Sequence, residues 1–499
     1  MTRSSAHSLP ETVLQTGTVI IGAGAAGLSL AASLQGDLIV IESGADGIDW
    51  DLQASHRSIV RGQPTNPDSV RVRAIGGATT RWTGRCIELD DYDFEDRPWI
   101  GPSGWPIDKD DLAPWYLRAW KLIGIEPEAR PPVTTAIEQF AGEHSKLRTC
   151  NWDYGTLAKS RDLNFGHRYR GLFETSSRRL IYAADAAELI TDGRRVMAVR
   201  IVDRGGVSRV IRARRFVLAA SCVDNISLLL HKHRATPQFL DHVEPWLGRG
   251  FMQHLRVKVG ALAQNTAQFR ALQLRYGIRK SAGNRRIETG IAIHPQFARS
   301  EGIGNASAFF EYETDLGLGH PLRLLAAANR RLGRAASLPQ GRARLVIDVE
   351  QTVSQDSRVT LHWSVGPSGL HRAEVDWKIS PTDFRTTFAF VSAVGQWLNS
   401  EGYGALPDCA GIREDFIDPS HIVDSNHPLG GTRMSDDPSN GVVDRNCRVH
   451  GCDNLWIVGG SVFPSGGHAN PTLTIVAMAI RLADHLSTQM DEVRHQVAR

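Results

Sequence analysis

The chain has 499 residues, of which 41% are hydrophobic and 22% charged, and its formal net charge is +3. A chain of this length can bury a large core, and two domains or one elaborated domain are expected. Acidic and basic residues are mixed throughout, which excludes the footprint of a nucleic-acid or polyanion binder; clusters such as Arg212, Arg214 and Arg215 read as a solvated face.

Residues 1 to about 12 read as a disordered lead-in. They carry no apolar h-region, so no secretory signal is expected. The six cysteines show no metal-ligand spacing, and the Cys447/Cys452 pair lacks a second half. Free thiols in a reduced, cytoplasmic compartment are expected, with no metal and no membrane partner.

The first strong signal runs from Thr18 to Gly44. Val19, Ile20 and Ile21 form an apolar run of strand length, too short to span a membrane. Gly22, Gly24 and Gly27 then spell G-x-G-x-x-G. Leu28, Leu30, Ala31 and Leu34 continue as a helix, and Leu38 to Ile41 make a second strand ending on Glu42. This pattern predicts a βαβ unit that binds a dinucleotide. Gly22 permits the tight turn, Gly24 admits a pyrophosphate close to backbone, and Gly27 lets helix pack on strand. The diphosphate would lie against the helix N-terminus at Ala25 and Ala26. Glu42, about twenty residues beyond Gly22, would accept from ribose hydroxyls. A Gly-rich turn in an unrelated α/β domain is the blander reading of the glycines alone.

After a polar stretch comes Arg73-Ala74-Ile75-Gly76-Gly77-Ala78-Thr79-Thr80-Arg81-Trp82-Thr83-Gly84. The double glycine and small hydroxylated residues mark a tight loop with free N–H groups, suited to a phosphate or a ring edge or serving only as a structural turn. Residues 94 to 170 are rich in Trp and Pro, including Trp99, Trp105, Trp115, Trp120, Pro131, Pro132 and Trp152, and Asp108 to Leu122 has helical spacing. Such aromatics read mainly as core. Strands are expected at Leu180–Tyr182, Val196–Val202 and Val207–Ile211 as a meander, followed by a buried strand at Arg215–Ala220 and a helix start at Asp224 and Asn225.

Residues 255 to 424 read as a second domain. Strand-like pieces lie at Val257–Leu262, Thr289–His294, Leu345–Glu350, Arg358–Trp363 and Glu374–Lys378. Phe384 to Leu398 is an amphipathic helix, and Pro321 to Gly341 reads as a lid or surface helix. Beyond them, Asn426-His427-Pro428-Leu429-Gly430-Gly431 and Leu455–Val458 with Gly459-Gly460 lead to Asn470-Pro471-Thr472. Asn470 as N-cap and Pro471 at N1 are expected to open a helix to about Leu486. Leu455–Val458 should join the sheet begun at Val19, so that both chain ends build one nucleotide domain.

Together these segments resemble the glucose–methanol–choline (GMC) oxidoreductases. The matching parts are the N-terminal fingerprint with Glu42-Ser43-Gly44, the Gly76-Gly77 loop, Val217–Leu230, Gly248-Arg249 with His254, and His427 to Leu486. Thr80-Arg81-Trp82-Thr83, Gly459-Gly460 and Ala469 to Thr474 are most similar to pyranose 2-oxidase and its bacterial relatives that oxidise C-glycosides at C3. The resemblance implies an α/β fold with a discontinuous FAD-binding domain (residues 13–93, 171–254 and 425–496) and a substrate domain of mixed sheet and helices (94–170 and 255–424). It implies FAD held by Gly22 to Gly27, Glu42, Ser43, Arg73, Gly76, Gly77, Thr80 to Gly84, Ala220, Gly459, Gly460, Pro471 and Thr472. Thr83 would face the reactive part of the ring system, and the helix opening at Pro471 would favour negative charge on it.

The implied reaction oxidises a secondary ring hydroxyl of a sugar or glycoside at C2 or C3, with oxygen reduced to peroxide. A dehydrogenase using a quinone or another acceptor is the alternative within the enzymes. A non-turning-over flavin protein or an NAD-linked enzyme is the alternative outside it. His427 maps to the base and Asn470 to its partner, with His468 as the rival partner. The chain departs from the family at three places. Arg81 stands where pyranose oxidases often carry the His that bonds the flavin, so FAD is expected to be non-covalent. Gly459 replaces the Asp of most members, as it does in the pyranose oxidases. Ser221 replaces a usual Gly. A monomer or small homo-oligomer is expected.

Overall fold

Val19 to Ile21 and Leu38 to Ile41 are apolar without alternation, the pattern of strands buried on both faces. In the computed structural model, which describes residues 3–9, 13–63, 65–125, 146–155, 163–280, 286–317, 319–331, 338, 340–366, 368–407, 409 and 411–497, both lie at the centre of an eight-stranded sheet. Across the sheet the order is Arg3–Ser5, Arg178–Tyr182, Leu38–Glu42, Leu14–Ile21, Ser208–Leu218, Arg195–Asp203 and Ala184–Asp192, with Leu455–Ile457 also paired to Ser208–Leu218. The first five strands and Leu455–Ile457 run parallel; Arg195–Asp203 is antiparallel to Ser208–Leu218, and Ala184–Asp192 is antiparallel to Arg195–Asp203. The helix Ala25–Ser33 joins the two central strands and packs against the C-terminal helix Thr472–Val497. Gly27 is what permits its approach, because a Cβ there would lie 1.9 Å from the Gly22 carbonyl oxygen.

The lead-in expectation is corrected: Arg3–Ser5 is a strand parallel to Arg178–Tyr182, and it covers what would otherwise be an open sheet edge. The strands expected at Val207–Ile211 and Arg215–Ala220 are one strand, Ser208–Leu218. Its N-terminal half alternates because one face is wet; its last residues are buried on both faces between Leu14–Ile21 and Leu455–Ile457. Leu180–Tyr182 lies beside Leu38–Glu42 and outside the meander, whose third strand is instead Ala184–Asp192.

A second eight-stranded sheet runs Ile422–Asp424, Leu255–Ala261, Arg342–Val349, Ala306–Glu313, Arg286–Ile293, Leu147–Tyr154 and Arg85–Cys86, with Arg279–Lys280 paired to Arg286–Ile293. The helix Pro381–Ser400 backs it, entering through a Ser380/Asp383 capping box and burying Phe390, Val394 and Trp397. Arg358–Val365 and His371–Trp377 do not join that sheet; with Ile59–Gly62 they form a separate three-stranded sheet. The helix Lys109–Ile123 forms where helical spacing predicts it, and Trp105, Trp120 and Trp152 are core residues. Among the described residues no cysteine is joined in a disulfide. Pro321–Arg331 is helical and exposes Leu322, Leu324 and Leu325. The rest of that stretch at 332–337 and 339, with Pro131 and Pro132, lies outside the described residues. Among the described residues no helix is long and apolar enough to cross a membrane.

Candidate active site

The C-terminal ends of three parallel strands, at Ile21, Leu218 and Ile457, converge on one cavity of about 700 Å³. Ligands of open α/β sheets bind in such a crevice, and the volume is within the range of ligand pockets, ~300–1,000 Å³. Gly22, Gly24, Ala25, Ala26, Glu42, Ser43, Arg73, Gly77, Arg81, Trp82, Thr83, Ala220, Gly459, Gly460, Pro471 and Thr472 line it together with His427 and Asn470. Four of the expected contacts do not reach the wall. Gly27 lies beneath the helix start, and Gly76 is packed so closely that a Cβ would meet Asn164 Oδ1 at 2.3 Å. Thr80 Oγ1 donates to the Gly77 carbonyl at 2.8 Å, and Gly84 packs on Leu163. These residues shape the loop.

At one end of the cavity the structure offers an anion cradle. No side chain caps the helix Ala25–Ser33, so its N-terminus opens onto the cavity. Gly77 lies against it with φ +53°, and a Cβ on Gly77 would stand 2.9 Å from Gly24 Cα. The Glu42 carboxylate accepts from Ala23 N–H at 2.9 Å and Gly44 N–H at 2.8 Å. Burial pushes its pKa up to about 7 despite those bonds and the charge of Arg73. Beside it, Asp224 accepts from Arg71 Nε and Arg73 Nη2, each at 2.9 Å. Burial alone would raise the Asp224 pKa, but the two guanidiniums hold it far below the ordinary carboxylate range. Ser221 caps the helix Cys222–Ala235 through Asp224 N–H, so the departure at Ser221 builds this corner.

At the other end stand His427 and Asn470. An antiparallel bridge between Met252 and Leu429, bonded both ways at 2.8 Å, delivers the His427 segment. Gly430 has φ +73°, and a Cβ on it would meet the Gly250 carbonyl at 2.0 Å, so only glycine allows that approach. Asn470 Nδ2 is 3.2 Å from His427 Nε2, and His427 Nδ1 is 2.9 Å from His254 Nδ1. Burial lowers the His427 pKa well below 6.5, and the charge of Arg256 lowers it further. The imidazole is therefore neutral at neutral pH. The capping expectation shifts by one residue: the first helical bond runs from Ile475 N–H to the Pro471 carbonyl, and the Asn470 amide is turned to His427.

The loop carrying Asn470 is clamped by buried charge. Arg97 pairs with Glu350 at 2.6 Å, both side chains fully buried, and Glu350 accepts from Gly467 N–H at 2.9 Å. His468 faces away from His427, with Nδ1 3.5 Å from Asp90 and 3.9 Å from Asp93. Burial would lower its pKa, but those carboxylates override it and push it up to about 10. Asp90, Asp93 and His468 lie close enough to share a metal, yet the protonated imidazole and Arg148, bonded to Asp90, already supply the positive charge. The rival His468 is thus paired with carboxylates, while Asn470 is the residue placed against His427.

Sequence reading did not anticipate Arg85, Tyr154, Arg256, Glu288 and Phe309, which line the cavity near His427. Arg85 lies between the faces of Trp152 and Phe309 at 3.8 and 4.1 Å and pairs with Glu288 at 2.8 Å. Arg256 is held by both oxygens of Asp348 at 2.6 and 2.7 Å. The one signal for Arg85 was its place just past the Gly76-Gly77 loop.

A family profile described as GMC oxidoreductase matches residues 353–479. The fructose dehydrogenase large subunit of Gluconobacter japonicus is 35% identical, over 84% of this chain and 81% of that one. The 6'''-hydroxyparomomycin C oxidase of Streptomyces lividus is 24% identical over 94% and 91%. Among solved structures, pyridoxine 4-oxidase from Mesorbium loti superposes with a TM-score of 0.61 at 19% identity, covering 94% of this chain and 99% of that one. The chain belongs to the GMC oxidoreductases, FAD-dependent enzymes that oxidise CH–OH donors. The uncapped helix N-terminus, the Gly24–Gly77 cradle and the Glu42 carboxylate fit the diphosphate and ribose of FAD.

Proposed function

We propose that this chain oxidises a secondary ring hydroxyl of a sugar or glycoside, at C2 or C3, to a ketone, with oxygen as electron acceptor. The observation that carries the reading is the pairing of a half-buried, neutral His427 with Asn470, 3.2 Å apart, in the wall of the cavity that also holds the diphosphate cradle. Bound FAD supplies the acceptor for the hydride of the same carbon. His427 Nε2 takes the hydroxyl proton, a role worth about 10²–10⁴-fold in rate. Asn470 Nδ2 donates to the substrate oxygen as charge develops on it.

The wall beside His427 supports a neutral, hydroxyl-rich substrate. Its guanidiniums are each matched by a carboxylate, Arg85 by Glu288 and Arg256 by Asp348, while Glu311 is matched by Lys258. Such pairs offer donors and acceptors without net charge. The relatives named for fructose and for a paromomycin agree with that class. Residues 13–93, 171–254 and 425–496 are read as the FAD-binding part and 94–170 with 255–424 as the substrate part, in a monomer or small homo-oligomer of the cytoplasm. The test is a panel of free sugars, O-glycosides and C-glycosides, read by flavin bleaching without oxygen. No bleaching by any sugar would refute the substrate class, and the product identifies C2 or C3.

A dehydrogenase is the second reading, favoured by the 35% identity to a fructose dehydrogenase subunit. Peroxide formation measured against dye reduction under one sugar separates the two. FAD is held without a covalent bond in this proposal. Arg81 lines the cavity with its guanidinium over Trp50 at 5.6 Å, and a group protonated up to pH ~12 is no nucleophile. Acid precipitation should leave the yellow colour in the supernatant and the chain at its unmodified mass; a yellow pellet would overturn the claim.

A further inference from the structure

The Met252–Leu429 bridge is antiparallel, so its register places residue 254 opposite residue 427. The two side chains meet there, with Nδ1 to Nδ1 at 2.9 Å and the rings edge to face at 81°. His254 is buried, and its other nitrogen, Nε2, is 3.3 Å from the carbonyl oxygen of Gly466. A chain of contacts therefore runs Gly466 carbonyl, His254, His427, Asn470.

Each link in this chain holds one proton, and a carbonyl oxygen can only accept. His254 Nε2 must therefore carry its hydrogen, to donate to Gly466. A neutral His254 then has only a lone pair on Nδ1. His427 Nδ1 must carry a hydrogen to meet that lone pair, and the neutral His427 is left with its lone pair on Nε2. Before substrate binds, Asn470 Nδ2–H meets that lone pair; a bound hydroxyl takes its place there, and the Asn470 N–H turns to the substrate oxygen. The reverse arrangement would set two lone pairs against each other at Gly466.

We infer that His254, anchored by the Gly466 carbonyl, is a positioning residue that fixes His427 in the tautomer whose Nε2 is free to accept the substrate proton. The inference rests on His427 as the base. Burial lowers the pKa of His254 below its ordinary value and keeps this link neutral. The residue acts as the carboxylate does in a hydrolase triad, by orientation and tautomer choice, but without adding charge beside the base. The loop that presents Gly466 is the one clamped by Glu350 at Gly467, so the anchor is as rigid as the core.

The direct test is neutron diffraction of the deuterium-exchanged holoenzyme. Deuterium on His427 Nδ1 and on His254 Nε2 is expected; deuterium on His427 Nε2 would overturn the inference. The kinetic test compares His254→Leu with His254→Asn, whose Oδ1 restores an acceptor at the Nδ1 position. The Leu variant should reduce bound flavin at least about 10-fold more slowly with sugar affinity unchanged, and the Asn variant should recover most of that loss. A Leu variant at the parent rate, or an Asn variant as slow as Leu with FAD retained, would overturn it. Failure of the base reading itself shows separately, as a His427→Ala variant that reduces flavin normally.

Discussion

Replacing Asn470 by Asp puts a carboxylate where an amide donor now lies 3.2 Å from His427 Nε2. At that separation the gross attraction between a carboxylate and an imidazolium is about 5 kcal/mol at an effective dielectric constant near 20. Desolvation of both groups offsets part of it, and the remainder raises the His427 pKa. The parent imidazole sits well below 6.5, and the variant would titrate higher than the parent. Below its new pKa His427 holds a proton on Nε2 and cannot act as base; above it the lone pair returns. A second loss is independent of pH, because a carboxylate repels the forming alkoxide. Anaerobic stopped-flow reduction of the flavin from pH 5 to 9 separates the two. The parent should stay flat from pH 9 down past 6.5. The variant should be slow throughout and fall further, up to tenfold per pH unit, below its new pKa. A variant that reduces flavin at the parent rate with the parent profile would remove Asn470 from the reaction.

His427→Ala should keep FAD and lose at least about 10²-fold in flavin reduction; absorbance of the purified protein and stopped-flow rates check both. Gly77→Ala should purify largely without FAD, because its Cβ would stand 2.9 Å from Gly24 Cα on a backbone with φ +53°; a normal flavin-to-protein ratio would refute the cradle. His468 is raised from 6.5 to about 10 by Asp90 and Asp93 against its burial, so the folded protein binds this proton more tightly than the unfolded chain. Its contribution to stability is fully present below pH 6.5 and is lost as pH rises towards 10, and a melting curve in His468→Gln should lack that alkaline decline.

What was legible in the sequence is what local chemistry encodes. The turn at Gly22 to Gly27, the strands around it and Glu42 about twenty residues on follow from short-range geometry. His427 and Asn470 were reachable through motif resemblance, and the structure brings them together from 43 positions apart. His254 was visible only as one residue of a matching segment, because its meaning lies in a contact 173 positions away. Arg85 and Arg256 were hidden for the same reason: the second sheet delivers them to the cavity, and an isolated arginine in a strand says nothing of where its guanidinium points. The lead-in was misread because polar residues at Arg3 to Ser5 become a strand only when the edge of Arg178–Tyr182 is there to pair with them. The cap at Asn470 was misjudged by one residue because the helix-start pattern takes no account of a competing partner such as His427.

Burial sets the state of each histidine around the active loop, and the nearby charges decide which way it goes. His427 and His254 share an enclosed region where burial outweighs Asp348, so both are held below 6.5 and stay neutral. His468, two residues from Asn470, is also buried but faces Asp90 and Asp93, and it stays charged to about pH 10. The charged one is paired with Asp90 and Asp93; in the proposed reaction the neutral pair holds and moves a single proton. A carboxylate placed beside His254 would raise the base's pKa, as in the Asn470→Asp argument, and cost it neutrality under mildly acid conditions. Using a second imidazole instead of a carboxylate to orient the base keeps His427 unprotonated well below pH 6.5. With His427 as the proposed base, the arrangement gives up added charge stabilisation of the imidazolium in exchange for a base that stays unprotonated below pH 6.5, which suits a step in which the hydroxyl proton leaves before or with the hydride.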